Sequence, residues 1–337
     1  MKRIYTAAFL SLGVLLLLCA CGQSVPTEGS AQVRPAEGSG ADVSMEIPYI
    51  GILLQSLDDP YFALIKAGAE DEADARGVQV MVVSPDSDAD ATAQANMLAT
   101  MADMAMDVLA VAPIEAEMLT ASLTRAADNE KILMALDTEL DFDGCACFIG
   151  TDDYDAAYRQ GEYAAELVGS GSYAAILRGT DGNAAQDSRA AGLTDALHDS
   201  GLHLLDSAVS DSQQAARQET AALLTVHRNL KLICTTSDDA AIGAQLAIKA
   251  SGRSIRLVAF GGMPEAAELV EQGGIDAAFA QNPYEIGRLC VQNAIRLYQG
   301  RTVQRRIFAD PVLVTQDSAA DYLDSITRHL AHKKTKR

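Results

Sequence analysis

The feature that most constrains this chain is an alternation, repeated from residue 47 onward, of short apolar runs with longer stretches of helical period. The apolar runs fall at 50–54, 78–83, 108–112, 132–136, 145–149, 173–177, 202–205, 230–234, 255–260 and 277–280. Helix-patterned segments separate most of them, for example at 89–104, 115–129, 153–168, 212–227, 238–251 and 284–299. Runs this short and continuously apolar read as strands covered on both faces, and a strand–helix rhythm builds parallel sheets with helices on either side. Ten such strands are many for one sheet of this chain length. The pattern therefore predicts an α/β protein with two doubly wound parallel-sheet lobes of about five strands each. One lobe is expected to comprise 46–151 with 283–310 and the other 152–282 with 311–328, joined by a multi-crossing hinge and followed by a basic tail at 329–337.

The stretch YIGILLQSLDDPYF, residues 49–62, shows the local logic. The apolar run stops at Gln55 and Ser56, Asp58 and Asp59 follow, and Pro60 opens an alanine-rich helical pattern that runs to about Arg76. Ligands of open α/β sheets sit just outside the carboxyl ends of the strands, which makes this polar, aromatic loop a candidate site. The residues after the other runs are of the same kind: Ser84, Pro113, Asp137 with Thr138, Thr151 with Asp152, Arg178, Ser237 with Asp238, Gly261 with Gly262, and Gln281 with Asn282. In two lobes facing each other across a hinge, these side chains converge on one cleft suited to a small molecule.

Charge and motif content narrow the function classes. The formal net charge is −20, and the first twenty residues carry two basic and no acidic side chains, so the acidic excess lies in the remainder. Such a surface repels phosphate backbones and argues against a nucleic-acid partner. The sequence holds no GxSxG, no P-loop and no HExxH, and its five histidines are scattered. No catalytic constellation emerges, which points to a binder rather than an enzyme, without a cofactor or metal. Asp86, Asp88 and Asp90 imitate the start of a calcium loop, but Ala91 stands where glycine is required and Met97 where the bidentate glutamate belongs, so they read as a solvated turn feeding a helix. Cys145, Cys147, Cys234 and Cys290 read as buried small apolar residues rather than a zinc site, with a disulfide between distant members left open.

Residues 1–21 have the form of an export signal: Lys2 and Arg3, then an apolar run shorter than the roughly 20 residues of a membrane span, ending in small residues. The end, Leu18-Cys19-Ala20-Cys21-Gly22, resembles the lipobox of bacterial lipoproteins, which implies lipidation of Cys21; Cys19 departs from that pattern, and an unmodified signal peptide is the alternative. Lipid chains would hold the protein at the outer face of the cytoplasmic membrane without spanning it, an arrangement most useful in a Gram-positive envelope. Residues 22–45, rich in Gly, Ser, Pro, Glu and Gln, read as a flexible linker.

The stretch GILLQSLDDPYFALIKAGAEDEADARGVQV resembles the opening of the ribose-type periplasmic sugar-binding proteins. The likeness continues through ILMALDTE, FIGTDDYDAAYRQGEYAAE, GNAAQDSRAAGL, TTSDDAAIGAQLAIKASG, VAFGGMPEA and FAQNPYEIG, over residues 47–315. The resemblance implies a monomeric two-lobed solute receptor, of the type I periplasmic-binding-protein fold, that hands a carbohydrate-like ligand to the permease of an ABC transporter. It assigns ligand-binding roles to Gln55, Asp59, Tyr61 and Phe62, to Asp137 with Thr138 in place of the usual arginine, and to Arg189, Asp211, Ser237 and Gln281. Gly261 stands where the family normally carries an aspartate, so ribose itself is not implied.

Each assignment has a plainer counterpart. Gln55 and Gln281 could satisfy hinge backbone groups, Asp59 and Asp137 could cap turns or helices, and Arg189 could be a helix-surface ion-pair partner. An arginine opposed to carboxylates suits vicinal hydroxyls or an acid, and in a chain without tryptophan Tyr61, Phe62 or Tyr284 must supply the stacking face. The carboxylates at Asp58, Asp59, Asp137 and Asp211 would equally suit an amine-bearing ligand. A sensory receptor coupled to a signalling partner is the alternative to uptake. A repressor, which shares the fold, is disfavoured by the leader, by the charge and by the lack of a DNA-binding segment before Ile47.

Overall fold

The structure, a computed structural model, describes residues 47–180, 182–205 and 207–331. The export signal, Cys21, the linker and the end of the basic tail lie outside the described residues. Among the described residues no helix is long and apolar enough to cross a membrane.

Two sheets organise the chain. The first contains β1 (Tyr49–Leu53), β2 (Gln79–Val83), β3 (Val108–Val111), β4 (Ile132–Leu136), β5 (Cys145–Gly150) and β12 (Arg306–Phe308) in the order β12-β5-β4-β3-β1-β2, all parallel. The second contains β6 (Tyr173–Arg178), β7 (His203–Leu204), β9 (Leu230–Thr235), β10 (Arg256–Gly261), β11 (Ala277–Ala280) and β13 (Val312–Thr315) in the order β13-β11-β10-β9-β6-β7. Its seventh strand, β8 (Ala208–Val209), pairs with β6, and only the β11–β13 pair is antiparallel. The chain passes between the sheets three times, after β5, after β11 and after β12.

The strands not anticipated from the sequence are β8, β12 and β13. They are two to four residues long and partly exposed, so they carry no continuous apolar signature.

Each sheet is buried on both faces, as parallel strands require. In the first, Ile50, Ile52 and Leu54 pack with α1 (Pro60–Arg76) and α9 (Pro283–Tyr298), while Leu53, Leu109 and Leu133 face α2 (Ala91–Asp103) and α3 (Ala116–Asp128). Gly51, between them, has no room for a Cβ, which would lie 2.5 Å from the Met106 sulfur. In the second, Ala175 and Leu177 face α6 (Gln213–Val226), α7 (Asp238–Ser251) and α8 (Pro264–Glu271), and Ala174 and Ile176 face α4 (Asp153–Glu166) and α5 (Ala184–Asp199).

The alanine-rich helices pack at close range. A Cβ on Gly68 of α1 would lie 1.9 Å from the Tyr284 carbonyl oxygen, and one on Gly287 of α9 would lie 2.0 Å from that of Ile65. Pro60 and the Asp59 side chain, which accepts from the Tyr61 N–H at 2.8 Å, start α1, and Gly77 at φ 67° ends it. Asp90 caps α2 in the same way, accepting from the Ala93 N–H at 2.8 Å, as expected of a turn feeding a helix.

A buried glutamine ties the strand ends together in each lobe. Gln94 of α2 donates to the carbonyls of Leu54 at 3.1 Å and Ala112 at 2.8 Å, and Gln160 of α4 donates to those of Thr235 at 3.1 Å and Val258 at 3.0 Å. These buried amides join neighbouring strands, β1 to β3 and β9 to β10, through main-chain carbonyls.

The last helix, α10 (Ala319–Ala331), packs on α8 and also reaches α1. It runs past the expected start of the tail, so His329 is helical; its ring stacks on Tyr284 at 3.9 Å. Cys145, Cys147, Cys234 and Cys290 are buried free thiols. Burial pushes the thiols of Cys145 and Cys147 up to about 11, which makes them poor nucleophiles.

Candidate functional site

The carboxyl ends of strands from both sheets border a cavity of about 380 Å³. Of the residues singled out in the sequence, Gln55, Asp59, Tyr61, Phe62, Asp137 and Thr138 line it from the first lobe. Arg189 and Ser237 line it from the second, and Gln281 from the crossing after β11. Asp211 is not brought to it: this residue is exposed on the turn before α6 and accepts from the Ser212 hydroxyl at 3.3 Å. The edge strand β8 ends at Val209, so the turn that follows lies outside the bordering strand ends. Asp58 is likewise exposed and absent from the lining. A second cavity, of about 370 Å³, is lined by residues of the first lobe and β12 approach alone, including Phe142, Cys145 and Arg305.

The first-lobe wall is held by Tyr61. Its phenol donates to Asp137 Oδ1 at 2.6 Å, while its ring packs edge-on against Phe62 with centroids 5.2 Å apart. Phe62 belongs to the core of the lobe, so the aromatic pair has a fixed base. Asp137 itself has φ 59°, and the Thr138 N–H bonds back to the Leu136 carbonyl, which makes a tight three-residue turn at the end of β4. Aspartate tolerates this left-handed conformation better than most residues, and strain of this kind gathers where a side chain must be aimed. Gln55 donates to the Pro113 carbonyl at 2.8 Å, so one end of its amide secures the neighbouring loop.

The second-lobe wall centres on Arg189. Its Nε donates to Asp153 Oδ1 at 2.7 Å, one terminal nitrogen donates to the Thr236 carbonyl at 3.1 Å, and the guanidinium lies 4.3 Å above the Phe260 ring. The residue is 9% exposed, so the ion pair that it makes with Asp153 is buried rather than on the helix surface. Ser237 caps α7, accepting from the Ala240 N–H at 3.3 Å. Gln281 donates to Thr151 Oγ1 at 3.2 Å and to the Tyr61 hydroxyl at 3.4 Å, linking two of the crossings to the first-lobe wall.

The lining residues given no ligand role from the sequence are Asn183, Ala185, Gln186, Asp238, Phe260, Gly261 and Met263, of which Asp238 and Gly261 were expected at the cleft as strand-end residues. Asp238 is the informative one. It accepts from the N–H groups of Gly262 at 2.7 Å and Met263 at 3.0 Å, and a Cβ on Gly261 would lie 2.4 Å from its Oδ2. Its carboxylate therefore occupies the space that a side chain at 261 would need, which explains why the strand ends in two glycines, both at positive φ. The acidic dipeptide after Ser237 together with GG in VAFGGM was the available signal.

The carboxyl groups share one direction of shift. Burial raises Asp137 above the usual carboxylate range despite the bond from Tyr61, and raises Asp153 despite Arg189. It raises Asp59 as well, with Asp88 and Asp239 adding to the effect, and it pushes Asp238 up to about 6 against the two N–H groups. Burial, then Asp137, raise the Tyr61 phenol well above 10, so it remains a donor. The arrangement offers a polyhydroxylated guest several acceptors, one planar guanidinium, four carboxamides and an aromatic flank.

Comparisons with known proteins agree with this architecture. Residues 50–302 match the periplasmic binding protein domain model. The chain is 25% identical over 303 residues to the ribose import binding protein of Bacillus subtilis, covering 90% of this chain and 96% of that one. It is 28% identical over 248 residues to the D-allose-binding periplasmic protein of Escherichia coli, covering 70% and 80%. The crystal structure of a periplasmic ribose ABC transporter protein from Conexibacter woesei superposes with a TM-score of 0.77 at 21% identity, covering 82% of this chain and 95% of that one. Two three-layered lobes, three crossings between them and a family match over most of the chain lead to one assignment: the chain belongs to the periplasmic binding proteins, of the type I fold, which are binding proteins and not enzymes.

Proposed function

We propose that this chain is an exported solute receptor of an ABC transporter, held at the outer face of the cytoplasmic membrane by lipid on Cys21, that binds a carbohydrate-like molecule between its lobes as a monomer. The observation that carries the reading is a cavity, about 380 Å³, lined by strand-end residues of both lobes and by Gln281 between them. That volume suits one small ring. The names of the ribose and allose relatives support a sugar-like guest. Thr138 and Gly261, where an arginine and an aspartate are expected of ribose binders, point to a guest other than ribose.

A guest touching Asp137 on one side and Arg189 on the other favours the arrangement in which both walls reach it, and occupancy thereby selects one lobe orientation. A permease that reads this orientation takes up only loaded receptor. The test is a thermal-shift screen of pentoses, hexoses, cyclitols and amino sugars on the mature protein, followed by uptake of any hit in cells with and without it. A hit whose uptake needs the receptor supports the proposal. A hit with no effect on uptake transfers the same cleft to the signalling alternative, and no shift with any member defeats the carbohydrate reading.

A further inference from the structure

Resting on the carbohydrate reading of the cleft, we infer that the guest carries an amino group, so that the ligand class is polyhydroxylated amines rather than neutral sugars. Three carboxylates, Asp59, Asp137 and Asp238, line the cavity, and Arg189 is the one basic side chain among its described lining residues. That guanidinium is already joined to a fourth carboxylate, Asp153, at 2.7 Å and to the Thr236 carbonyl. Counting Asp153, four carboxylates therefore face one guanidinium, which acts on Asp137 and Asp238 as well as on its own partner, and the site keeps a negative excess. Thr138, next to Asp137, adds a hydroxyl and no charge, and its Oγ1 lies 3.4 Å from Asp137 Oδ2.

A neutral ring would satisfy the acceptors with hydroxyl hydrogens and leave the buried part of this excess, at Asp137 and Asp238, uncompensated at reduced dielectric, where charge is costly. An ammonium group supplies up to three donors and one positive charge together, and charge-assisted hydrogen bonds are about twice as strong as neutral ones. Burial is the first cause that raises Asp59, Asp137 and Asp238 above the ordinary carboxylate range, Asp238 to about 6, so a cation placed among them stabilises the ionised forms. The carboxylates come from both walls, Asp59 and Asp137 from the first lobe and Asp238 from the second, so a cation between them also favours the lobes drawn together.

The experiment compares matched pairs that differ by one group, D-glucosamine with D-glucose, D-galactosamine with D-galactose, and an aminodeoxyinositol with myo-inositol. Binding to the mature protein is measured by calorimetry at pH 5.5 and 7.5 in buffers of different ionisation enthalpy. For at least one pair the amine is expected to bind at least tenfold more tightly than its hydroxyl partner at pH 5.5, where the amino sugar is fully protonated, with release of protons from carboxyls such as Asp238, which titrates at about 6. Asp137→Asn, Asp238→Asn and the exposed-rim variant Asp59→Asn should each reduce the amine-to-hydroxyl ratio severalfold, the last with the fold retained because asparagine caps α1 as well as aspartate does. Hydroxyl partners that bind as tightly as the amines, or a ratio unchanged in all three variants, would overturn the amine inference and leave the carbohydrate reading standing. No binding by either member of any pair would overturn both.

Discussion

Replacing Arg189 by methionine separates two roles that the same side chain performs. The guanidinium and its Asp153 partner have side chains only 11% and 16% exposed. Removal of one member of such a pair leaves the other as an uncompensated buried charge, at a cost of about 3–5 kcal/mol. In a protein of this size that corresponds to a fall in Tm on the order of 10 °C. The double variant Arg189→Met/Asp153→Asn removes the stranded charge and should recover most of that stability. Neither variant should recover ligand affinity, because the donor facing the cavity is gone.

The pH dependence carries a definite sign. Burial raises Asp153 above its unfolded value, and without Arg189 it rises further. A raised group contributes stability that is fully present below the unfolded carboxylate value and is lost as pH rises through the folded one. The single variant should therefore approach the parent as pH falls from 7 toward 4, and the double variant should show little of this dependence. Urea unfolding monitored by circular dichroism at a series of pH values measures it. A loss below about 1 kcal/mol at pH 7, the scale of an exposed pair, would refute the claim that Arg189 is a buried, structurally engaged cation.

Three further perturbations are checked by simple measurements. Tyr61→Phe removes the donor to Asp137 and an acceptor for Gln281, and should cost about 1–3 kcal/mol by urea midpoint at unchanged slope, while Asp137 titrates still higher. Gly68→Ala places a methyl group 1.9 Å from the Tyr284 carbonyl, so α1 and α9 must separate; a loss of roughly 1–3 kcal/mol or more is expected, and an unchanged Tm would contradict the close helix contact. Asp238, pushed up to about 6, should give a carboxyl signal titrating near that pH by carbon-13 NMR in the unliganded protein, absent from Asp238→Asn; its stabilising effect is complete below 3.8 and is lost as pH rises through about 6.

Much of this molecule was legible along the chain. The apolar runs at 50–54, 108–112 and 132–136 became strands β1, β3 and β4 because a strand buried on both faces must be apolar at every position. Pro60 after an aspartate and Gly77 bounded α1 through rules that act over a few residues. The polar strand ends pointed to a cleft because parallel sheets present their carboxyl ends in common. Strands β8, β12 and β13 were not legible, since edge pairings two to four residues long need a neighbour before they need a pattern.

The sequence by itself determined the layered lobes and the loops that border the cleft, because periodicity and capping are short-range effects that each segment carries with it. Only the tertiary structure decided which polar residues share the cavity. It left Asp211 outside, placed Asp238 in the space freed by Gly261, and joined Arg189 to Asp153 across 36 positions. The physical reason is that a carboxylate's role depends on the charges and donors beside it in space, and separate strands and helices of the chain bring those together.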